Sequence, residues 1–323
     1  MPKTRKNKKK LKTAKKKFSF VVGLISVPLT PTKKYFKVCG DSYTASSHIT
    51  WLRKRNIKTL IIPYNTKKHE YYMSKIHGLY LPSGGAFAST QMEYYKCCKK
   101  MLQLAMKKND KGNYFPVWGC CMGFQQMLII ADGNDNVDNL LTKFDSYKNL
   151  LCKMNLTDAG KKSRIINGLD KKTLHDITKK KSTLNNHMLG ISPRDMLANQ
   201  NISDFYHIVG ISCDRKKKQF VAIIEAKNYP FYAVQWHPER NEEMNAFVKF
   251  FARELKKSDK KKVSKKTFRK YGKLHSKKID CYNYSRGLYN KCTFFWHKRT
   301  SAHNKKLCSV AQLRDIDPGS NII

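Results

Sequence analysis

Cys121 lies in a segment whose residue types and spacing could carry nucleophilic chemistry, residues 116–127, which read PVWGCCMGFQQM. An apolar stretch ends at Gly119 and a helix-compatible run begins at Phe124, so the segment predicts a strand, a sharp turn and a helix. Flanking glycines suit a strained turn, because they lack a Cβ and let backbone N–H groups face a substrate. The helix dipole favours a thiolate at that position. Taken alone, the pattern also fits a buried structural cysteine.

A second apolar run, Tyr232–Glu239, reads YAVQWHPE and carries a histidine followed closely by a carboxylate. The run predicts a strand with His237 at its carboxyl end and Glu239 two residues further. A histidine beside a carboxylate is the general base that a thiol nucleophile needs, since the carboxylate fixes the tautomer and stabilises the imidazolium. A core histidine next to a turn is the alternative interpretation.

A third strand runs into a glycine pair in the segment Gly78–Gly85, which reads GLYLPSGG. Backbone amides exposed at Gly84 and Gly85 could bind a developing oxyanion. An ordinary loop at a strand end would have the same residues. The glycine pair, the cysteine and the histidine all follow predicted strands, and ligands of open α/β sheets bind at the carboxyl ends of strands. Together the three segments predict one active site.

With these motifs the chain resembles the class I glutamine amidotransferase-like superfamily, and within it most closely the gamma-glutamyl hydrolases. That family carries P-V-W-G-x-C-x-G-F around its nucleophile, matched by residues 116–124, and Y-x-V-Q-W-H-P-E around its histidine, matched by Tyr232–Glu239. A family segment N-x-H-x-x-x-x-S is matched by residues 185–192, which contain His187. The resemblance covers about residues 19–255.

The resemblance implies an α/β fold with a mostly parallel central sheet and helices on both faces. It implies a cysteine hydrolase that cleaves the γ-glutamyl bonds of folylpoly-γ-glutamates, or of another γ-glutamyl small molecule, through a thioester, with no cofactor and no metal. The predicted roles are assigned by position in these segments. These are Cys121 as nucleophile, His237 as base and Glu239 as orienting carboxylate, Met122, Gly84 and Gly85 as oxyanion donors, and His187 and Gln125 as substrate-binding residues.

The chain also departs from the family pattern near the predicted site. Gln125 replaces a glutamate that often follows the G-F of the nucleophile turn, which removes a negative charge near the substrate. Ser83 replaces the first glycine of the family's P-G-G turn, and Arg53 stands where an acidic residue is expected. Cys120 occupies the variable position of the nucleophile motif, so we expect its side chain to point away from the substrate.

Charge and length divide the 323 residues into three parts. The formal net charge is +42, from 65 Lys and Arg against 23 Asp and Glu. We expect residues 1–18 to be a basic, disordered arm, residues 19–255 to be the catalytic domain, and residues 256–323 to be a basic extension rich in cysteine and aromatic residues. The basic ends could anchor nucleic acid or an anionic surface, or they could reflect biased codon usage.

The sequence also bears on the cellular compartment of the protein. We expect a cytoplasmic or nuclear protein, because no signal peptide precedes the first apolar run at residues 18–25 and the 10 cysteines form no regular framework. No apolar run is long enough to span a membrane. Cys281, Cys292 and Cys308, with nearby histidines, match no zinc-ligand spacing. The oligomeric state stays open.

The predicted elements alternate between strands and helices. We expect strands at residues 20–27, 58–63, 76–82 and 114–118, helices at 41–55, 91–107 and 124–131, an irregular excursion at 132–184, an antiparallel hairpin at 205–225 and a closing helix at 241–255. Three functions are compatible with this chain. They are a γ-glutamyl hydrolase, the glutaminase half of an amidotransferase, and a nucleic-acid-associated protein that has kept the fold without catalysis.

Overall fold

A computed structural model describes residues 19–28, 42–85, 92–134, 140–272, 278–285 and 288–295 of the chain. The described strands are numbered in chain order: β1 (Val21–Ile25), β2 (Val27–Pro28), β3 (Ser42–Ala45), β4 (Lys58–Ile62), β5 (Gly78–Leu81), β6 (Val117–Cys120), β7 (Thr142–Cys152), β8 (Asn155–Leu156), β9 (Thr183–Gly190), β10 (Tyr206–Cys213), β11 (Gln219–Ala226), β12 (Phe231–Val234), β13 (Lys278–Ser285) and β14 (Leu288–Phe295).

The central sheet has eight strands in the order β4-β1-β5-β6-β12-β11-β10-β8. The first five are parallel to one another, whereas β11, β10 and β8 continue the sheet by antiparallel pairing. The predicted mostly parallel sheet is therefore confirmed, and the predicted hairpin is β10–β11. Strand β5 and strand β6 are neighbours, and β12 lies beside β6, so the ends of these three strands meet at one edge.

Helices cover the central sheet on both faces. They are α1 (Ser46–Arg53), α2 (His69–Met73), α3 (Glu93–Asp110), α4 (Met122–Asp132), α5 (Asp158–Lys161), α6 (Arg164–Asn167), α7 (Lys171–Lys179), α8 (Pro193–Ala198), α9 (Gln200–Phe205), α10 (Asn245–Lys256) and α11 (Lys265–Gly272), with 3-10 turns at Pro238–Arg240 and Glu242–Met244. None of the helices in the described part of the chain combines the length and the apolar character that crossing a membrane requires.

Alternate residues of the buried strands supply two separate hydrophobic cores, as side chains on a strand point to opposite faces. Val117 packs with α2, α3 and α4 on one face, whereas its neighbour Trp118 packs with α1 and α10 on the other. On β5, Leu79 packs in the same core as Val117, and its neighbour Tyr80 packs in the same core as Trp118. Burial on both faces explains why these strands read as continuous apolar runs.

Two predicted elements were wrong. Residues 42–45 form strand β3 and not the start of a helix, because strand-favouring Tyr43 and Thr44 pair with β14, so α1 begins only at Ser46. The stretch predicted as an irregular excursion contains the long strand β7 and the helices α5, α6 and α7. Strand β7 pairs with β9 as a separate two-stranded sheet, so its regularity depends on a partner 30 or more residues away.

Part of the C-terminal extension packs on the main domain. Strands β13 and β14 belong to a four-stranded sheet with the order β13-β14-β3-β2. In addition, Ser19 forms an antiparallel bridge with Val263. The basic arm at residues 1–18 and the residues after 295 lie outside the described residues, as do the side chains of Cys281 and Cys292. The anchoring role of the basic ends therefore stays a prediction.

Gly123 provides a test of how closely α4 approaches the end of β5. A Cβ at this position would lie 2.0 Å from the carbonyl oxygen of Leu81. We expect Gly123→Ala to lower the free energy of unfolding by about 3 kcal/mol, because backbone cannot move aside as a side-chain end can. Urea denaturation measures the change, and Gly85→Ala is the control, since among the described residues its Cβ would meet only the Tyr43 hydroxyl, at 3.8 Å. Equal stability of the two variants would contradict this packing.

Candidate active site

Cys121 forms the turn between β6 and α4 and has the backbone strain of a nucleophile elbow. Its φ is 50° and its ψ is −103°, values that a residue with a Cβ rarely adopts. The turn is held in place because the Cys121 N–H donates to the Val234 carbonyl at 2.8 Å. A Cβ at Gly119 would lie 2.6 Å from Met127 Sδ, so the approach to the turn needs glycine. The thiol side chain is accordingly fixed at the carboxyl edge of the sheet.

His237 follows β12 and lies across this edge from Cys121. The backbone N–H of His237 donates to the Leu184 carbonyl at 2.9 Å, which attaches the histidine to β9. Its Nδ1 lies 2.9 Å from Glu239 Oε1. A carboxylate only accepts hydrogen bonds, so Nδ1 carries a proton, and Nε2 is left as the nitrogen that can exchange a proton with a substrate. Nε2 is buried and has no hydrogen-bond partner among the described residues. This is the arrangement of a histidine oriented for proton transfer.

The charges around His237 favour its protonated form. Burial and the Arg240 guanidinium lower its pKa, but Glu239 and Cys121 act more strongly in the opposite direction and raise it to about 9. Burial alone would raise the pKa of Glu239, yet His48, His237 and Arg240 hold it well below its usual range. At neutral pH the site therefore contains a His237 imidazolium hydrogen-bonded to the Glu239 carboxylate.

The raised pKa predicts the alkaline limit of activity. Because His237 keeps its proton up to about pH 9, we expect kcat/KM for an acyl-transfer substrate to fall as pH rises through that value. Glu239→Gln removes the carboxylate that raises the pKa, while burial and Arg240 continue to lower it. The alkaline limb should then move to lower pH. Glu242→Gln, an exposed change in the next turn, should leave the limb in place. An unmoved limb in Glu239→Gln would contradict this electrostatic arrangement.

The predicted oxyanion turn lies directly against the elbow. A Cβ at Gly84 would be 3.0 Å from Met122 Cε and 2.9 Å from the methyl carbons of Val27. Met122 is the first residue of α4, where backbone N–H groups have no partner within the helix. The N–H of Gly85 donates to the Tyr43 hydroxyl at 3.1 Å. The structure thus brings Gly84 and Met122 together, whereas the amide of Gly85 already has an acceptor.

His187 and Gln125 meet at one carbonyl on β9. Gln125 Nε2 donates to the Leu189 oxygen at 2.7 Å, and His187 Nδ1 lies 3.1 Å from the same oxygen. Since that oxygen only accepts, His187 carries its proton on Nδ1. Its Nε2 is a buried acceptor with no partner among the described residues. Burial lowers the pKa of His187 to about 3, and the nearby His237 acts in the same direction. His187 is therefore neutral.

Three further side chains lie at this site although the sequence predicted no catalytic or binding role for them. Gln235 Nε2 lies 3.9 Å from Cys121 Sγ. Cys120 Sγ lies 3.3 Å from Glu239 Oε2, so this thiol contacts the carboxylate. His48, on α1, lies 3.8 Å from the other oxygen of Glu239. Alternation along the strands could have placed Gln235 near Cys121, but nothing local links His48 to the motifs.

A metal-like donor set also occurs here. The ligand atoms of His48, Cys120 and Glu239 all lie within 4.8 Å of one another, and nitrogen, sulfur and oxygen are zinc donors. Each of these side chains already has a hydrogen-bond partner. His48 is bonded to Ser83, Cys120 to Glu239, and Glu239 to His237. Hydrogen bonding accounts for the cluster, and we assign no metal to it.

The model of the family "Glutamine amidotransferase class-I" matches residues 38–254. The chain therefore belongs to the class I glutamine amidotransferase family. It is similar to gamma-glutamyl hydrolase B of Dictyostelium discoideum, with 27% identity over 223 residues, which are 68% of this chain and 62% of that protein. It is 30% identical to gamma-glutamyl hydrolase of Mus musculus over 203 residues, 62% of each chain. The chain thus matches less than two thirds of the length of these relatives.

Among solved structures, the chain aligns with a putative GMP synthase protein from Thermoplasma acidophilum. The alignment covers 79% of this chain and 98% of that protein, with a TM-score of 0.46 and 16% identity.

Proposed function

We propose that this protein is a cysteine hydrolase that cleaves γ-glutamyl bonds through a thioester on Cys121. The observation that carries the proposal is the strained elbow at Cys121 facing a histidine whose Nδ1 is held by Glu239 and whose Nε2 is unpaired among the described residues. The similarity to proteins named gamma-glutamyl hydrolase supports the choice of bond.

The reaction begins with attack of the Cys121 sulfur on the γ-carbonyl carbon. The carbonyl π electrons move to oxygen, and the backbone N–H groups of Met122 and Gly84 stabilise that oxyanion. His237 then donates its Nε2 proton to the leaving nitrogen as the C–N bond breaks and the thioester forms. Water attacks the thioester, His237 accepts a proton from the water, and Cys121 leaves as thiolate. The products are a free γ-carboxylate and an amine.

We further propose folylpoly-γ-glutamates as the substrate class. His187 presents a neutral imidazole whose Nε2 has no hydrogen-bond partner in the described part of the chain, and this nitrogen can accept a hydrogen bond from a substrate N–H group. Gln125 donates its amide to the Leu189 carbonyl, so it supports β9 beside His187. In this arrangement the neutral Gln125 shapes the wall of the site.

Glutamine hydrolysis is the second candidate, because the matching family model is that of the glutamine amidotransferases. The two functions differ in their substrate requirements. Purified protein should be incubated separately with pteroyl-γ-triglutamate, with its α-linked isomer and with free glutamine. We expect glutamate or glutamyl-peptide release from the γ-linked compound alone. Ammonia release from glutamine without cleavage of the γ-linked compound would favour the glutaminase, and cleavage of both isomers would refute γ-glutamyl selectivity.

A further inference from the structure

His48 is a fully buried histidine to which the mechanism above gives no role. The Ser83 N–H donates to its Nε2 at 3.2 Å, and Ser83 Oγ lies 2.7 Å from the same nitrogen. Because a backbone N–H only donates, Nε2 is an acceptor and the ring proton is on Nδ1. Nδ1–H then donates to the Tyr80 hydroxyl at 2.8 Å. The two ring nitrogens therefore bind Tyr80 within strand β5 and Ser83 just after it.

The ring stays uncharged although a carboxylate is near. Nε2 lies 3.8 Å from Glu239 Oε1, which is too long for a hydrogen bond. Burial lowers the pKa of His48 to about 4 and outweighs the attraction of Glu239. Glu239 is held instead by His237 at one oxygen and by the Cys120 thiol at the other. His48 thus fills the space between the catalytic carboxylate and the glycine turn.

Ser83 connects this ring to the oxyanion turn, since it directly precedes Gly84. The ring binds the backbone and the side chain of Ser83, which fixes the chain just before Gly84 packs on Met122. We propose that His48 is a positioning residue that holds the Ser83–Gly84 turn in register with the Cys121–His237–Glu239 site. This inference rests on the proposed function. It also gives Ser83 a role, because its hydroxyl supplies a bond that glycine there could not make.

The first test compares His48→Ala and Ser83→Ala with wild type on the γ-linked substrate. We expect His48→Ala to lower kcat about 10- to 100-fold with KM nearly unchanged, as misplacement of the oxyanion donors affects the transition state and not substrate binding. Ser83→Ala should lower kcat less, since its N–H remains. The double variant should be no worse than His48→Ala alone, because both changes remove the same contact. His48→Gln, which restores an acceptor, should recover part of kcat.

His77→Ala is a matched control for the loss of a buried, hydrogen-bonded histidine. His77 Nδ1 accepts from the Val21 N–H at 3.1 Å and its Nε2 lies 3.2 Å from the Lys261 carbonyl oxygen. This ring lies at the amino ends of β1 and β5, away from the site. We expect the His77→Ala substitution to lower Tm and leave kcat unchanged. Folded His48→Ala and His48→Gln with wild-type kcat would overturn the inference.

Amide hydrogen exchange provides a readout that does not depend on the substrate. In His48→Ala and His48→Gln we compare the exchange rates of the Ser83 and Gly84 amides with those of the rest of the sheet. We expect at least about tenfold faster exchange at the turn in His48→Ala, because the acceptor of the Ser83 N–H is lost. Unchanged exchange would refute the positioning role. If wild type cleaves no γ-glutamyl bond, the proposed function fails, while the exchange rates still decide whether His48 holds the turn.

Discussion

Cys121→Ala should lower kcat/KM for γ-glutamyl hydrolysis by at least about 10⁴-fold, the largest effect expected of any single change in this protein. The alanine removes the atom that forms the thioester, and no other described nucleophile occupies the elbow between β6 and α4. Initial rates of glutamate release with a pteroyl-γ-polyglutamate measure the effect. Circular dichroism shows whether the variant is folded.

Cys120→Ala is the matched control for this substitution. Its thiol is fully buried and lies 3.3 Å from Glu239 Oε2, so it supports the carboxylate by a weak hydrogen bond. We expect kcat/KM to stay within about tenfold of wild type. If Cys120→Ala abolished hydrolysis while Cys121→Ala retained it, the assignment of the nucleophile would be wrong.

His237→Gln should have the second largest effect, a loss of about 10⁴-fold in kcat. Glutamine has no titratable nitrogen, so it can neither donate a proton to the leaving amine nor accept one from the attacking water. The residual rate should also lack the alkaline limb near pH 9 that His237 imposes. Measurement of kcat across the pH range tests both expectations.

His207→Gln is the control for this variant, since His207 is exposed on β10. It should have wild-type kcat and an unchanged pH profile. Retention of the alkaline limb in His237→Gln would show that another group supplies the proton.

The elbow was predictable from sequence because its cause is local. The strained φ of Cys121 belongs to the turn that its glycine-flanked segment forms, although the contacts that require Gly119 and Gly123 include Leu81 and Ala233 on neighbouring strands. Glu239 is likewise two residues from His237, so their hydrogen bond needs only the 3-10 turn that begins at Pro238. The parallel core of the sheet also followed from continuous apolar runs that are buried on both faces.

Contacts between distant segments were not predictable in the same way. His48 contacts Ser83, which is 35 residues later in the sequence. The residue pattern of α1 indicates only that the His48 side chain lies on the buried face of the helix. The Tyr43 hydroxyl accepts from Gly85 only because β3 is a strand, and β3 forms by pairing with β14 almost 250 residues later. The strand β7 depends in the same way on β9. Pairing partners, and not local propensity, decided these elements.

The central claim is that a γ-glutamyl acyl group is carried by Cys121. Rapid acid quenching of the protein with a γ-glutamyl anilide, followed by peptide mass spectrometry, tests this most directly, since a good leaving group lets the thioester accumulate. We predict a γ-glutamyl adduct on the peptide that contains residues 116–127, assigned by fragmentation to Cys121 and absent from Cys121→Ala. An adduct on Cys120, or turnover of the anilide by the Cys121→Ala variant, would contradict the claim.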